Sequence, residues 1–191
     1  MPIAGDPHIL AWPGGPVLET DEGAWGLGTA SFDASRRWRY RLSRVWDPDG
    51  ARLAVVMLNP STADAAVLDP TVRRCVGYAR AWGFGALEVV NLFAWRSTDP
   101  RALARVADPV GPENDGAILA AAWCAELVVA AWGVHGRLGG RGRRVARTLA
   151  AAGVELAALA TTGAGEPRHP LYLAGSLLPR PWTVPEESAG E

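Results

Sequence analysis

Apolar residues along this chain fall into short, nearly continuous runs separated by stretches of helical spacing, a pattern that predicts buried strands alternating with amphipathic helices. The runs are LAVVML (53–58), ALEVVNLFA (86–94), LVVAAWG (127–133) and VELAAL (154–159). Between the first two, DPTVRRCVGYARAWGF places Val72, Cys75, Val76 and Ala79 at helical spacing, with Asp69 as the cap and Pro70 in the first turn. DPRALARVA reads as a short helix, GPENDGAILAAAWCAE as one starting near Pro112, and RRVARTLAAAG as another. Ahead of these, WRYRLSRVW (38–46) alternates as a strand does. Asp47-Pro48-Asp49-Gly50 supplies a turn, Pro fixing φ and Gly accepting positive φ, so a hairpin into 53–58 is expected.

Strands separated by helices of this length predict an α/β fold of three layers, α/β/α, around a central, mostly parallel sheet of four to five strands. Residues 1–35, rich in Gly and Pro, are expected as an irregular N-terminal arm with room for a strand. Residues 36–182 form the single α/β domain, and 183–191 a disordered acidic tail. With 191 residues, 49% apolar and 20% charged, the chain suffices for one sizeable core. No apolar stretch reaches the roughly 20 residues of a membrane span. The N-terminus lacks a basic segment followed by an apolar one, so a cytoplasmic protein is expected.

Charge changes the picture locally. The formal net charge is −1, yet RRWRYRLSR (36–44) holds five arginines and RLGGRGRRVAR (137–147) another five with no acid. One reading is a solvated helix face and strand edge; the other is two phosphate-facing patches, because guanidinium forks match phosphate oxygens in pairs. There is no lysine, which removes a Walker-type phosphate loop and side-chain Schiff-base chemistry. The glycines of WGVHGRLGGRGRR miss the dinucleotide spacing. His8, His135 and His169 with the isolated Cys75 and Cys124 make no metal-ligand pair at standard spacing, so neither metal nor cofactor is expected.

In parallel sheets ligands lie beyond the carboxyl ends of the strands. Those ends here are Asn59-Pro60-Ser61-Thr62, Asn91, Trp132-Gly133 and the approach to His169-Pro170. Each alone has a structural explanation, since Asn and Ser cap helices and Pro ends strand pairing. Together, two amides and a histidine on one rim suit the reading of a planar heterocycle.

LNPSTAD, DPT, NLFAWRS, GPEND and HPLYL, in this order, resemble a bacterial and phage domain-of-unknown-function family over roughly residues 36–182. The same order distantly resembles the uracil-DNA glycosylase superfamily. Met57-Leu58-Asn59-Pro60 stands where that superfamily has its first motif, and Asn91 where a central strand ends in a base-pairing Asn. VVAAWG resembles the later strand running into Gly, and His169-Pro170-Leu171 resembles the His-Pro-Ser element. Two departures are plain: the leading Gly is Met57 here, and Leu171-Tyr172 replace Ser-Pro.

The resemblance implies a monofunctional base N-glycosylase-like hydrolase acting on a damaged or modified base, with DNA or a nucleotide as its ligand. Alternatives are a non-catalytic nucleotide or nucleic-acid binding module and a hydrolase or transferase on free nucleosides or nucleotides. In the first case Asn59 holds water below the anomeric carbon and Asp64 competes as the base, unless its carboxylate merely closes an Asx turn. His169 donates to the oxyanion of the leaving base, while Asn91, with Pro60 and Phe93, receives the base. Trp82, Phe84 and Trp95 compete with Phe93 for stacking. Ser61, Thr62, Ser97, Arg141, Arg143 and Arg144 are the expected phosphate contacts.

Overall fold

The computed structural model describes residues 17–23 and 26–185. Its strands are β1 (Val17–Gly23), β2 (Gly26–Phe32), β3 (Arg39–Val45), β4 (Arg52–Met57), β5 (Ala86–Asn91), β6 (Leu127–Ala130), β7 (Leu156–Ala158) and β8 (Arg180–Pro181). They lie in one eight-stranded sheet in the order β1-β2-β3-β5-β4-β6-β7-β8. The helices are α1 (Pro70–Ala81), α2 (Asn114–Trp123) and α3 (Arg141–Ala151).

Alternation along β4 separates two cores. Leu53, Val55 and Met57 pack with Val72, Cys75, Tyr78 and Ala79 of α1, whereas Ala54, Val56 and Leu58 pack with Ile118 and Ala121 of α2 and with Val145 and Leu149 of α3. Strands covered on both faces are dominated by apolar residues, and the polar exceptions in β5 are the buried Glu88 and Asn91. The three α/β/α layers follow.

Helix limits obey local chemistry. The Asp69 carboxylate accepts from Val72 N at 2.8 Å and Pro70 occupies the first turn. At the other end Gly83, at φ +83°, lets Phe84 N reach Ala79 O at 2.9 Å and Gly83 N reach Arg80 O, a Schellman closure.

The sheet differs from expectation. Strands β5, β4, β6 and β7 are mutually parallel, but β1, β2 and β3 add an antiparallel meander on one side and β8 an antiparallel edge on the other, so antiparallel pairings outnumber parallel ones. A mostly parallel sheet of four to five strands is therefore corrected to a mixed sheet of eight. Residues 17–23 and 26–32 of the supposedly irregular arm are paired antiparallel strands that continue this sheet through β3; residues 1–16, 24 and 25 lie outside the described residues. In the tail, Val184 packs on the α2–α3 core instead of trailing away, and residues 186–191 lie outside the described residues.

The predicted hairpin between 38–46 and 53–58 is also corrected, because β5 inserts between β3 and β4. The turn at 47–50 straps across the start of β5. Trp46 N and Asp47 N both donate to Gly85 O at 3.0 Å, and a side chain at Gly50 would stand 2.7 Å from Gly85 Cα. Two glycines meeting backbone to backbone allow the crossing. Gly85→Ala, whose new carbon would lie 2.4 Å from Asp47 O, should lower stability by about 1–3 kcal/mol, read as a reduced urea midpoint at unchanged slope.

Candidate functional site

The ends of the four parallel strands share one rim. Beyond the regular pairing, Leu92 N donates to Met57 O (2.8 Å), Phe93 N to Leu58 O (2.9 Å) and Ala131 N to Val56 O (2.8 Å). On the far side Gly133 N donates to Pro167 O and Arg168 N to Ala160 O, each at 2.8 Å. These bonds carry the segments 58–60, 91–94, 131–133 and 167–169 to a common edge. Gly133, at φ +71°, turns the chain beside His169, whose Cβ would be 3.7 Å from a Cβ at that position.

Asn59 is half-buried, and its Nδ2 donates to Ser97 O (2.8 Å) and Pro60 O (3.1 Å). With the amide nitrogen so committed, Oδ1 is the part of the side chain left to face a ligand or water. Pro60, buried, also accepts from Ser97 N at 2.9 Å, tying the β4 exit to the segment after β5. Two residues before Asn59, Met57 is in register with Asn91.

Asn91 is wholly buried, and neither Nδ2 nor Oδ1 has a hydrogen-bond partner among the described residues. Such a group carries a penalty of about 1–3 kcal/mol unless something pairs with it. It lies on the α1 face, following Leu87 and Val89. Its backbone is held firmly: Asn114 Nδ2 donates to Asn91 O and Leu92 O at 3.0 Å, and Arg141 Nε to Leu92 O at 2.8 Å. Asn114 was not among the expected site residues; the sequence reading took GPEND as a family motif and a helix start and assigned no role to its asparagine.

His169 caps the 3₁₀ turn Pro170–Tyr172, its Nδ1 accepting from Leu171 N at 3.4 Å. Burial pushes its pKa below the usual 6.5, the Asp69 carboxylate opposing the shift. A neutral imidazole that accepts at Nδ1 carries its proton on Nε2, so the ring presents a donor.

Other expected site residues have different duties. Asp64 Oδ1 accepts from Ala66 N (3.0 Å) and Val67 N (2.8 Å), the Asx turn that competed with a catalytic role. Phe93 is buried in the α2–α3 core, which corrects its assignment as a base-stacking surface. Ser97 Oγ donates to Asp99 O at 2.9 Å. Ser61 is half-buried and Thr62 exposed on the outer turn of the loop.

Much of the two arginine runs is committed to backbone carbonyls and carboxylates, while Arg36, Arg37, Arg144 and Arg147 stay exposed. In the first, Arg39 and Arg44 are each 1% exposed and reach under the 63–67 loop: Arg39 Nη1 donates to Ala63 O at 2.6 Å, and Arg44 to the carbonyls of Ser43, Asp64 and Val67. Burial, with repulsion from Arg96 and Arg44, brings the Arg39 pKa down to about 10 against the pull of Asp69 and Asp64. Arg36 pairs with Glu19, and Arg41 with the buried Glu88, which Arg52 also approaches. In the second run Arg141, 3% exposed, is committed to Leu92 O and Asp115; Arg144 donates to Gly139 O at 3.0 Å, and Arg137 to Glu166 at 3.0 Å. Buried Arg141 is thus a backbone clamp, which corrects its assignment as a phosphate contact, whereas Arg144 is exposed beyond its one bond. Arg143 is half-buried and likewise engaged.

Among the described residues no group of three or more His, Cys, Asp or Glu could hold a metal ion. Burial pushes the Cys75 thiol up to about 12, with Asp69 adding to it, so this buried sulfur is no nucleophile at neutral pH. Among the same residues no helix is long and apolar enough to cross a membrane.

A mixed α/β domain with a polar rim at the carboxyl ends of its parallel strands is the class these features define. The chain belongs to the family described as "Protein of unknown function (DUF1643)", matched over residues 39–171. That span holds LNPSTAD, NLFAWRS and GPEND entire and ends inside HPLYL. No curated protein and no solved structure matches the chain.

His169 generates a pH prediction. A histidine whose folded pKa is depressed leaves the unfolded state holding more protons below pH 6.5, so its contribution is favourable above that pH and is lost as pH falls toward the folded value. The thermal midpoint should therefore decline below pH 6.5, and His169→Gln should flatten that part of the curve.

Proposed function

We propose that the rim binds a nucleobase and that the protein is a monofunctional N-glycosylase-like hydrolase acting on a damaged or modified base of DNA, with a uracil-DNA glycosylase-like arrangement of its parallel strands. The observation that carries this reading is Asn91. A carboxamide with a donor and an acceptor, both lacking partners at a central strand end, is the complement of a nucleobase amide edge. Zero exposure means that a ligand gains Asn91 by displacing what covers it, as an extruded base entering a closed pocket does.

The remaining chemistry fits a dissociative cleavage. As the glycosidic bond lengthens, the sugar becomes oxocarbenium-like and the departing base anionic. The Nε2–H of neutral His169 donates to the developing base oxyanion. Asn59, anchored through Nδ2, turns Oδ1 toward the water that adds to the anomeric carbon. A neutral amide orients this water and takes no proton from it; once the new C–O bond has formed, the water's proton passes to solvent and the departed base anion is protonated in turn, so the rate rests on stabilising the leaving base. Without a lysine the chain has no ordinary side-chain amine for β-elimination, so base release should proceed without strand scission.

A second reading, a nucleotide or nucleic-acid binding module without catalysis, is favoured by Asp64. Its carboxylate is spent on the amides of its own loop, and Asp69 is spent on capping α1. Release of free base from single- and double-stranded DNA carrying uracil, hypoxanthine, xanthine or alkylated bases, followed by mass spectrometry, separates the two. Release that disappears in Asn59→Ala supports the hydrolase; binding without release, with Asn59→Ala weakening affinity alone, supports the module.

Asn91→Leu gives a diagnostic pairing of effects. Removing two buried polar atoms without partners at similar volume should raise stability by about 1–2 kcal/mol, while ligand binding falls at least tenfold. Lower stability together with unchanged binding would show that Asn91 is satisfied internally and reads nothing.

A further inference from the structure

Beside the rim, between α1 and the turn that follows His169, lies a cavity of about 460 Å³ lined by Pro70, Arg73, Arg74, Gly77, Tyr78, Leu171 and Gly175. We propose that this cavity is a phosphate-binding subsite that holds the backbone of the ligand whose base enters the rim; in naming that ligand it rests on the functional reading above.

Its chemistry is one-sided. Two arginines line it and no lining residue is acidic. The nearby Asp69 is turned to Val72 N, in the helix cap. Positions i and i+4 of α1 pair Arg73 with Gly77 and Arg74 with Tyr78, so both guanidinium groups rise from the face that forms the cavity wall.

Arg74 is positioned from several sides. It donates through Nη2 to Leu173 O, and its guanidinium carbon lies 5.3 Å from the Tyr78 ring centre. Tyr78 in turn donates to Leu173 O (3.2 Å) and Ala174 O (2.9 Å). That leaves Arg74 Nε buried and without a hydrogen-bond partner among the described residues. Arg73 is exposed, with only a 3.4 Å bond to Leu68 O. A phosphate oxygen supplies the acceptors such donors lack, and a guanidinium meets it in paired bonds.

The two glycines keep the space open. A side chain at Gly77 would meet nothing within 4 Å, and one at Gly175 would meet only the Arg74 guanidinium, at 3.6 Å and beyond. The volume lies within the few hundred Å³ usual for small-ligand sites, room for a phosphate with its sugar. Pro70 follows Asp69 and Leu171 lies two residues after His169, so the cavity adjoins the loop carrying the proposed base donor.

The test uses the full chain with three probes: pyrophosphate, thymidine monophosphate and a ten-residue oligothymidylate, each titrated by calorimetry at several salt concentrations. Arg73→Ala removes an exposed cation, and Gly77→Leu fills the cavity with a better helix former, so both variants should stay folded by circular dichroism. Pyrophosphate binding that drops at least tenfold in Gly77→Leu, with an oligonucleotide salt slope about one unit shallower in Arg73→Ala, supports the subsite even if no base is ever released. Mononucleotide affinity with the same sensitivity makes the source a free nucleotide; sensitivity confined to the oligomer makes it a polynucleotide backbone. Affinities unchanged in both variants, or no binding of any probe by the wild-type chain, would overturn the subsite, the former even where base release has established the rim reading.

Discussion

Backbone carbonyls that leave the sheet at its carboxyl edge must find donors where little water reaches, and here side chains supply them. Leu92 O takes Asn114 and Arg141, from the first residues of α2 and α3; Ala63 O takes Arg39, and Asp64 O and Val67 O take Arg44. Both helices on one face are thereby tied to the end of β5, and the loop leaving β4 is tied to β3. A guanidinium suits this work because it keeps its charge when buried and offers several donors in a rigid plane. The depression of Arg39 to about 10 records the cost of taking it from water, and the group is still charged at neutral pH. These clamps add to the backbone bonds that extend the strand pairing into the rim.

That arrangement explains what was legible in the sequence. The parallel strands, the three layers, the Asp69–Pro70 helix start and the turn at 47–50 are local or periodic properties, and each is where its residues indicate. Arginine roles were not legible. Apart from the bond of Arg44 to Ser43 O, Arg39 and Arg44 hold carbonyls far along the chain, at Ala63, Asp64 and Val67, so nothing in RRWRYRLSR distinguishes a buried clamp from a phosphate patch. For the second run, the compensating acids, Asp115 and Glu166, lie outside RLGGRGRRVAR. The insertion of β5 is equally non-local: an apolar alternating segment, a good turn and an apolar run make a hairpin signal, and the contacts of Trp46, Asp47 and Gly50 with Gly85 make the turn a strap.

The positions of Asn59 and Asn91 at the ends of β4 and β5 were legible because chain exits from a parallel sheet are set by topology, whereas His169 lies well beyond β7, ahead of the 3₁₀ turn. The differences among the three were not legible. Asn59 has its nitrogen engaged, Asn91 has neither atom engaged, and His169 has one ring nitrogen turned inward, distinctions that arise from the particular carbonyls and amides brought nearby. Phe93 and Asp64 illustrate the converse. A motif position implied a site role, yet one side chain fills the core and the other folds its own loop.

The placement of β5 between β3 and β4 also orders the assembly of the chain. During synthesis β1, β2 and β3 can zip as a meander as soon as they emerge, but β4 has no neighbour to join until α1 and β5 follow it. Strand β5 then pairs antiparallel with a strand already made and parallel with one still waiting, so a single segment closes both halves of the sheet at once. Parallel closure across α1 needs a longer loop than any hairpin, which makes it the slower event. Until it occurs, β4, apolar after Arg52, has an open edge on each side, and this interval is when the nascent chain is most exposed to pairing with the wrong partner.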